Sequence, residues 1–394
     1  MKKIISTVLA VAVMVCATSV LATAESNNSK GIMQKTISYA SDVLFADDEP
    51  TYMDEWYIFA LARSGESSVQ DLLDAYYSNA EEDFIAKEGK YADYSGAESL
   101  GEYVRVALTL TAMEKDIHDF GGYDLLDKIT EMDFSTYEQS STSTLSYTLK
   151  IIEFYEDEIN NSDELKSSVI DEMMTRYIDD IGFTYMLGEY ATVDPDTTAQ
   201  VLQGLAPYSD YSDEVENSLK NSLSYLLEQQ NSEDGAIMSW GASNPSSTAQ
   251  MIITASLIDK VVYDYFTTDN GDTLLDGLLT FAVADGGYYE PYYGAEAGSD
   301  YFATSQALQA LVAYDRMVSG KTDLFDFSDL GEEEVIVTET TIVTETTSVT
   351  THSTVNTIDS SPKTGDTSAI GFIGLISGIA ILTAFTVRKS KDEE

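Results

Sequence analysis

The chain has 394 residues, with 68 acidic against 21 basic side chains, one cysteine and two histidines, for a formal net charge of −47 at pH 7. Such a surplus of carboxylates makes nucleic acid and anionic lipid poor partners, because both need a basic face, and no nucleic-acid partner is expected. Outside the cell it serves solvation, and no run has the spacing of an EF-hand; "TTDNGDTLLD" (267–276) reads as a polar turn before a helix.

Residues 1–24 open with Lys2 and Lys3, run apolar from Ile4 to Leu21 and end in Ala22-Thr23-Ala24. A charged start, a short apolar stretch and small residues two apart make a secretory signal. Cys16 lies within it, so the mature chain is expected to hold no thiol and no disulfide.

From Gly31 to Leu330 the sequence repeats itself. "DTTAQVLQGLAPY" (196–208), "SSTAQMIITASLI" (246–258) and "FATSQALQALVAY" (302–314) are the clearest copies. "WYIFALARSG" (56–65), "EYVRVALTLTAM" (102–113) and "LSYTLKIIEFY" (145–155) follow the same frame more faintly. Aligned on Gln200, the six pick out Tyr57, Arg105, Tyr147, Gln200, Gln250 and Gln306, 42 to 56 residues apart. That length accommodates two helices with their turns. "VENSLKNSLSYLLEQQ" (215–230) supplies a second helix, with Val215, Leu219, Leu223 and Leu226 spaced three to four apart, and "LLDGLLTFAVA" (274–284) takes the same place one unit later. Glycine turns follow at "DDIGF" (179–183), "EDGAI" (233–237) and "DGGYY" (285–289). Six helical hairpins in series predict a double ring.

The order "DPDTTAQVLQGLAPY", "LLEQQNSEDGAIMSW", "NPSSTAQMIITASLI", "YFATSQALQALVAYDRM" resembles the prenyltransferase and squalene-cyclase repeat, in the branch found on Gram-positive surface proteins and related to cobalamin carriers. The resemblance spans roughly residues 33–328 and implies an all-α fold: an α/α toroid of six hairpins, placed at 31–330, whose inner helices line a central cavity. It does not imply cyclase activity, since function resides in sites and not in folds.

Class II terpene cyclases carry a D-x-D-D-T-A pattern whose second Asp protonates an alkene, and Asp194, Pro195, Asp196, Thr197, Thr198 and Ala199 match it except at the third Asp, replaced by Thr197. The missing carboxylate is the partner that keeps such an acid protonated. Asp194 also suits an N-cap, Pro195 position N1, and Asp196 the positive end of the helix dipole. "NPSSTAQ" repeats that device without any acid pair, so Asp194 and Asp196 are expected to act as caps first and as catalytic groups only weakly. Zinc prenyltransferases of this fold need Cys, His and Asp together; His118 and His352 alone supply neither a zinc centre nor a triad, so no metal or cofactor is expected.

Tyrosines crowd one turn: Tyr288, Tyr289, Tyr292 and Tyr293 surround Glu290, and Tyr301 follows. On a toroid rim they are expected to meet a flat ligand, a sugar or a peptide. Beyond Leu330 comes a Thr-rich run (331–360) without aromatic residues, which reads as a stalk unable to bury a core. "SPKTG" (361–365), an apolar segment at 369–387 and the basic tail 388–394 then resemble the sortase signal of Gram-positive wall proteins, with Ser361 where Leu is usual. The resemblance implies cleavage between Thr364 and Gly365, sortase and peptidoglycan as partners, and a transmembrane helix that holds the chain at the membrane before sorting.

These features together lead to the expectation of a wall-anchored extracellular toroid, non-catalytic and ligand-binding or adhesive. The alternatives are an extracellular enzyme of the same fold, cyclase-like or glycan-active, and a corrinoid binder.

Overall fold

The computed structural model describes residues 28–331 except 47–48, 93–96, 133, 135–140, 179 and 190. The signal segment, the stalk, the SPKTG motif with Thr364 and Gly365, and the apolar segment 369–387 lie outside the described residues.

The six segments that align with one another form an inner ring among the described residues: α2 (Glu55–Ser64), α4 (Leu100–Ala112), α6 (Thr142–Phe154), α8 (Pro195–Leu205), α10 (Pro245–Ile258) and α13 (Tyr301–Val318). Each packs on the next, and α13 returns to α2 to close the circle. Around them lie α1 (28–39), α3 (Gln70–Ala86), α5 (Leu125–Thr130), α7 (Ser162–Met174), α9 (Asp213–Glu228) and the pair α11 (Lys260–Tyr265) and α12 (Leu274–Leu279). The chain is thus an α/α toroid of six hairpins. Burial separates the layers: α10 is buried on every side, whereas α9 buries the stripe Val215, Leu219, Leu223 and Leu226 and exposes its acids. One outer element is shorter than its apolar run. α12 stops at Leu279, and Phe281 and Val283 pair instead with the glycine turn through Tyr289 N–H to Phe281 O (3.0 Å) and Val283 N–H to Gly287 O (2.8 Å).

A single local device explains why the later repeats look alike. Asp194, Asn244 and Asp300 cap α8, α10 and α13, accepting from the amides of Thr197 (2.8 Å), Ser247 (3.0 Å) and Ala303 (2.9 Å). Four residues after each cap, Thr198, Thr248 and Thr304 accept from the amides of Phe183 (3.0 Å), Ile237 (2.9 Å) and Tyr288 (2.9 Å). Each threonine thereby ties a helix start to the residue that follows a glycine turn. Short antiparallel hairpins adjoin two of these ties: β1 (Tyr177–Ile178) with β2 (Gly182–Phe183), which carries Phe183, and β3 (Met238–Ser239) with β4 (Ala242–Ser243), which follows Ile237.

The ring is tight where α6 meets α8. A Cβ at Gly204 would stand 2.4 Å from Ser146 Oγ and 2.8 Å from its carbonyl oxygen. Because backbone cannot rotate aside, Gly204→Ala is expected to cost about 1–3 kcal/mol, read as a lower urea midpoint with unchanged slope; an unchanged midpoint would show that the two helices separate freely.

All inner helices run the same way, and the end holding their C-termini is closed. Residues 322–330 cross it, with Phe325 stacked on Phe59 of α2 (5.3 Å between centroids) and against Tyr147 of α6 (5.5 Å), and Phe327 against Phe154 (5.3 Å). Arg63 and Arg316 hold this strap in place. Arg63 donates to the carbonyls of Asp323, Leu324 and Asp326 and to Asp329, while Arg316 donates to Thr322 and Asp329.

Candidate ligand site at the mouth of the toroid

The strap and the rings beneath it cross the C-terminal end of the ring, and a cavity bordered by all six inner helices opens at their N-terminal ends. It has a volume of about 290 Å³. Its wall contains Trp56, Arg105, Tyr147, Gln200, Gln250 and Gln306, with Ser143, Thr144, Ser305 and Gln309 between them. Five of these are the positions on which the repeats align; in the first unit the wall residue is Trp56 and not its neighbour Tyr57, which is buried and donates to Tyr301 O (3.0 Å).

The wall amides are ordered by one another. Gln203 Nε2 donates to Gln250 Oε1 (3.0 Å) and Gln250 Nε2 to Gln306 Oε1 (3.2 Å), while the Tyr147 hydroxyl bonds to the Gln200 side chain. Gln203 itself is fully buried outside the cavity wall, and its Oε1 has no hydrogen-bond partner among the described residues. The Trp56 ring lies 4.9 Å from that of Tyr147. Arg105 is the basic side chain of the wall, and two acids hold it: Glu102 by a short ion pair and Glu55 with 3.5 Å between Nε and Oε2. Burial pushes the Glu55 carboxyl up, against the pull of Arg105 and of the Met53 amide (2.9 Å).

The acid motif sits on the rim of this opening. Asp194 caps α8 as its sequence predicts. Asp196 is partly buried and bridges to α10, accepting a short hydrogen bond from Ser247. Its pKa is pushed up to about 7 by burial first, then by the charge of Asp194 and more weakly by that of Glu290, against the Ser247 hydrogen bond. The absent third carboxylate is Thr197, which is buried. His118 is remote from the mouth, between Asp124 (2.9 Å) and Glu158 (3.0 Å), whose charges raise its pKa against the opposing effect of burial.

The tyrosine cluster is only partly the exposed surface that its sequence predicts. Tyr288 is 1% exposed, because it occupies the place of Phe183 and Ile237 after a glycine turn and belongs to the core. Tyr289 is partly buried against Phe281 (5.5 Å), and Tyr301 closes the ring by packing on Tyr57 (4.9 Å) and donating to Asp54 (2.5 Å). Glu290 is partly buried and takes the Tyr292 amide at 3.4 Å. Tyr292 and Tyr293, at 86% and 65% exposure, do face solvent.

Three further exposed rings share this rim: Phe302, which follows Tyr301 in the sequence, at 70%, Trp240, one of only two tryptophans, at 93%, and Tyr185, which no sequence feature singled out. Trp240 and Gly241 form the two-residue turn between β3 and β4, both with positive φ (53° and 83°), where Asn-Gly is the favoured pair. A bulky side chain in that conformation is strained, of order 1–3 kcal/mol. Its place before an inner helix and the turn geometry were the available signals. A larger cleft of about 430 Å³ lies at the opposite end between Phe154, Leu257 and the strap, where Lys150 is held by Glu153 (3.3 Å).

The class defined by this ring and one-ended cavity is the α/α toroid. No family model and no curated protein matches the chain. Among solved structures, a type II terpene cyclase from Scytonema in complex with its substrate geranylgeranyl dihydroxybenzoate is similar with TM-score 0.50 and 10% identity, over 75% of this chain and 99% of that one. A glycosyl hydrolase family 88 protein from Bacteroides vulgatus gives TM-score 0.45 and 11% identity over 74% and 99%. At such identities the likeness is one of fold.

Proposed function

We propose that this protein is a wall-anchored extracellular toroid that binds a neutral, hydroxyl-rich ligand of the glycan class at its mouth and does not transform it. The observation that carries the reading is the wall chemistry. Gln200, Gln250 and Gln306 and the hydroxyls of Ser143, Thr144 and Ser305 both donate and accept, as a sugar's hydroxyls do, while Trp56, only partly buried and backed by Tyr147, offers a ring face to the apolar side of a pyranose. An isoprenoid needs an apolar wall, which six amide and hydroxyl side chains deny it. A peptide bound by strand addition needs a sheet edge, and the strands bordering the mouth are only two residues long.

The non-catalytic part of the reading rests on how the nearby carboxylates are engaged. Asp194 and Asp300 cap helices, Asp54 takes the Tyr301 hydroxyl, and Glu102 holds Arg105 and Tyr52. Glycosidases need two free acids across the bond. The wall-anchored location is supported by the signal-like residues 1–24 and by SPKTG before the apolar segment. A second reading, an acid-dependent enzyme, has Asp196 in its favour, since a carboxyl that stays protonated near neutrality can donate a proton.

Titration of the purified protein with neutral gluco-, xylo- and manno-oligosaccharides tests both. Binding of at least one series is expected, weakened about tenfold by Gln306→Ala, which removes one wall amide, with the sugars recovered at full length. Shortened products that disappear in Asp196→Asn would replace the binding reading by the enzyme, and binding of no sugar would end the glycan reading.

A further inference from the structure

We infer that the mouth recognises the end of a glycan chain and not its interior, an inference that rests on the glycan reading above. The cavity is blind. Tyr147 lines it, yet the other side of that ring meets Phe325 of the strap at 5.5 Å, and Phe325 stacks in turn on Phe59. Between the wall amides and the closed end, Gln203 and Thr254 are buried and bonded across α8 and α10 (3.2 Å), which fills that side of the ring as Tyr147 and Phe325 fill the other. A polymer cannot thread a blind hole. Only a terminus can enter it.

Size and the placement of aromatic groups agree. About 290 Å³ lies at the lower bound of ligand pockets, roughly 300 Å³, and holds a small part of an oligosaccharide. The units that follow must leave through the rim, where Phe302 lines the cavity edge and Trp240, Tyr292 and Tyr293 stand clear of the fold. The Trp240 hairpin precedes α10 and the Tyr292 turn precedes α13, so both border the same arc of the mouth as Gln250 and Gln306. Trp240 keeps a strained backbone conformation at a hairpin tip, where its side chain is almost wholly exposed, as expected of a ring meant for a partner. The wall amides therefore take the terminal unit by hydrogen bonds, and the rim rings stack on the next few.

Calorimetric titration with linear neutral oligosaccharides of one to six units, and with cyclic oligosaccharides of the same linkage, tests this directly. Affinity is expected to rise about tenfold over the first three or four units and then level off, while the cyclic form binds at least about tenfold more weakly than the linear one. Trp240→Ala, at an exposed site that leaves the fold intact, is expected to abolish the gain with length and leave the single-unit affinity unchanged. Equal affinity for cyclic and linear forms would overturn end recognition while leaving glycan binding in place. If peptides bind and no sugar does, or nothing binds, both inferences fall together.

Discussion

Arg63→Ala is expected to lower stability by about 3–5 kcal/mol, since it leaves several carbonyl acceptors without their donor at about 1–3 kcal/mol each. Arg63 is buried at the end of α2, and its guanidinium holds three strap carbonyls, the Thr322 hydroxyl and Asp329. Alanine leaves the three carbonyls without this donor, while Thr322 and Asp329 keep Arg316. Lysine keeps the charge and loses the fork, so Arg63→Lys is expected to fall in between. Acid provides a second arm. Burial alone would raise the Asp329 carboxyl, but hydrogen bonds from Arg316 and Arg63, and then their charges, hold it down to about 2. Its contribution is complete above the ordinary carboxylate range and is lost as pH falls toward about 2. Urea midpoints measured from neutrality down into acid are therefore expected to drop less steeply for Arg63→Ala than for wild type. Coincident curves for the two proteins would show that the strap is not clamped by Arg63.

The strap was the part of the fold that the sequence concealed most completely. "KTDLFDFSDL" (321–330) has neither repeat nor helical period, and its role depends on arginines 261 residues and six residues away from their partners. The ring itself was legible because one local device recurs: a cap, a threonine four residues on and a glutamine six residues on. That glutamine position, used only to align the repeats, is the inward face of the inner ring. Tyr288 shows where composition misled. Placed under Phe183 and Ile237 it is a core residue, whereas read inside "DGGYYEPYYG" it looks like one more rim aromatic. Trp240 was undervalued for the opposite reason, since two tryptophans, Trp56 and Trp240, are few for a glycan platform and a single exposed ring carries no periodicity. What sets it apart is backbone geometry, which only the turn reveals.

Asp196→Asn separates two forces acting on the same carboxyl, and their signs differ. The helix dipole at the start of α8 favours an ionised Asp196 by about 0.3–1 kcal/mol, so on that ground alone asparagine should destabilise slightly. Burial acts the other way and is larger, since with the charge of Asp194 it places the carboxyl at about 7 despite the Ser247 hydrogen bond. A raised folded-state pKa means that the folded protein binds the proton more tightly than the unfolded chain. Stability due to this group is then complete below the ordinary Asp range, falls as pH rises and levels off above about 7. Asparagine cannot ionise, and the variant is expected to escape that fall, gaining on the order of 3 kcal/mol relative to wild type between pH 4 and pH 8. Chemical denaturation of both proteins across that range gives the difference directly, with every other titrating group common to the pair. Parallel curves would mean that Asp196 ionises as freely as a surface carboxylate, leaving only the dipole and depriving the enzyme reading of its acid. A divergence would place a proton-holding carboxyl on the rim of the mouth near neutrality, and any turnover that depends on it would have to decline as pH rises through about 7.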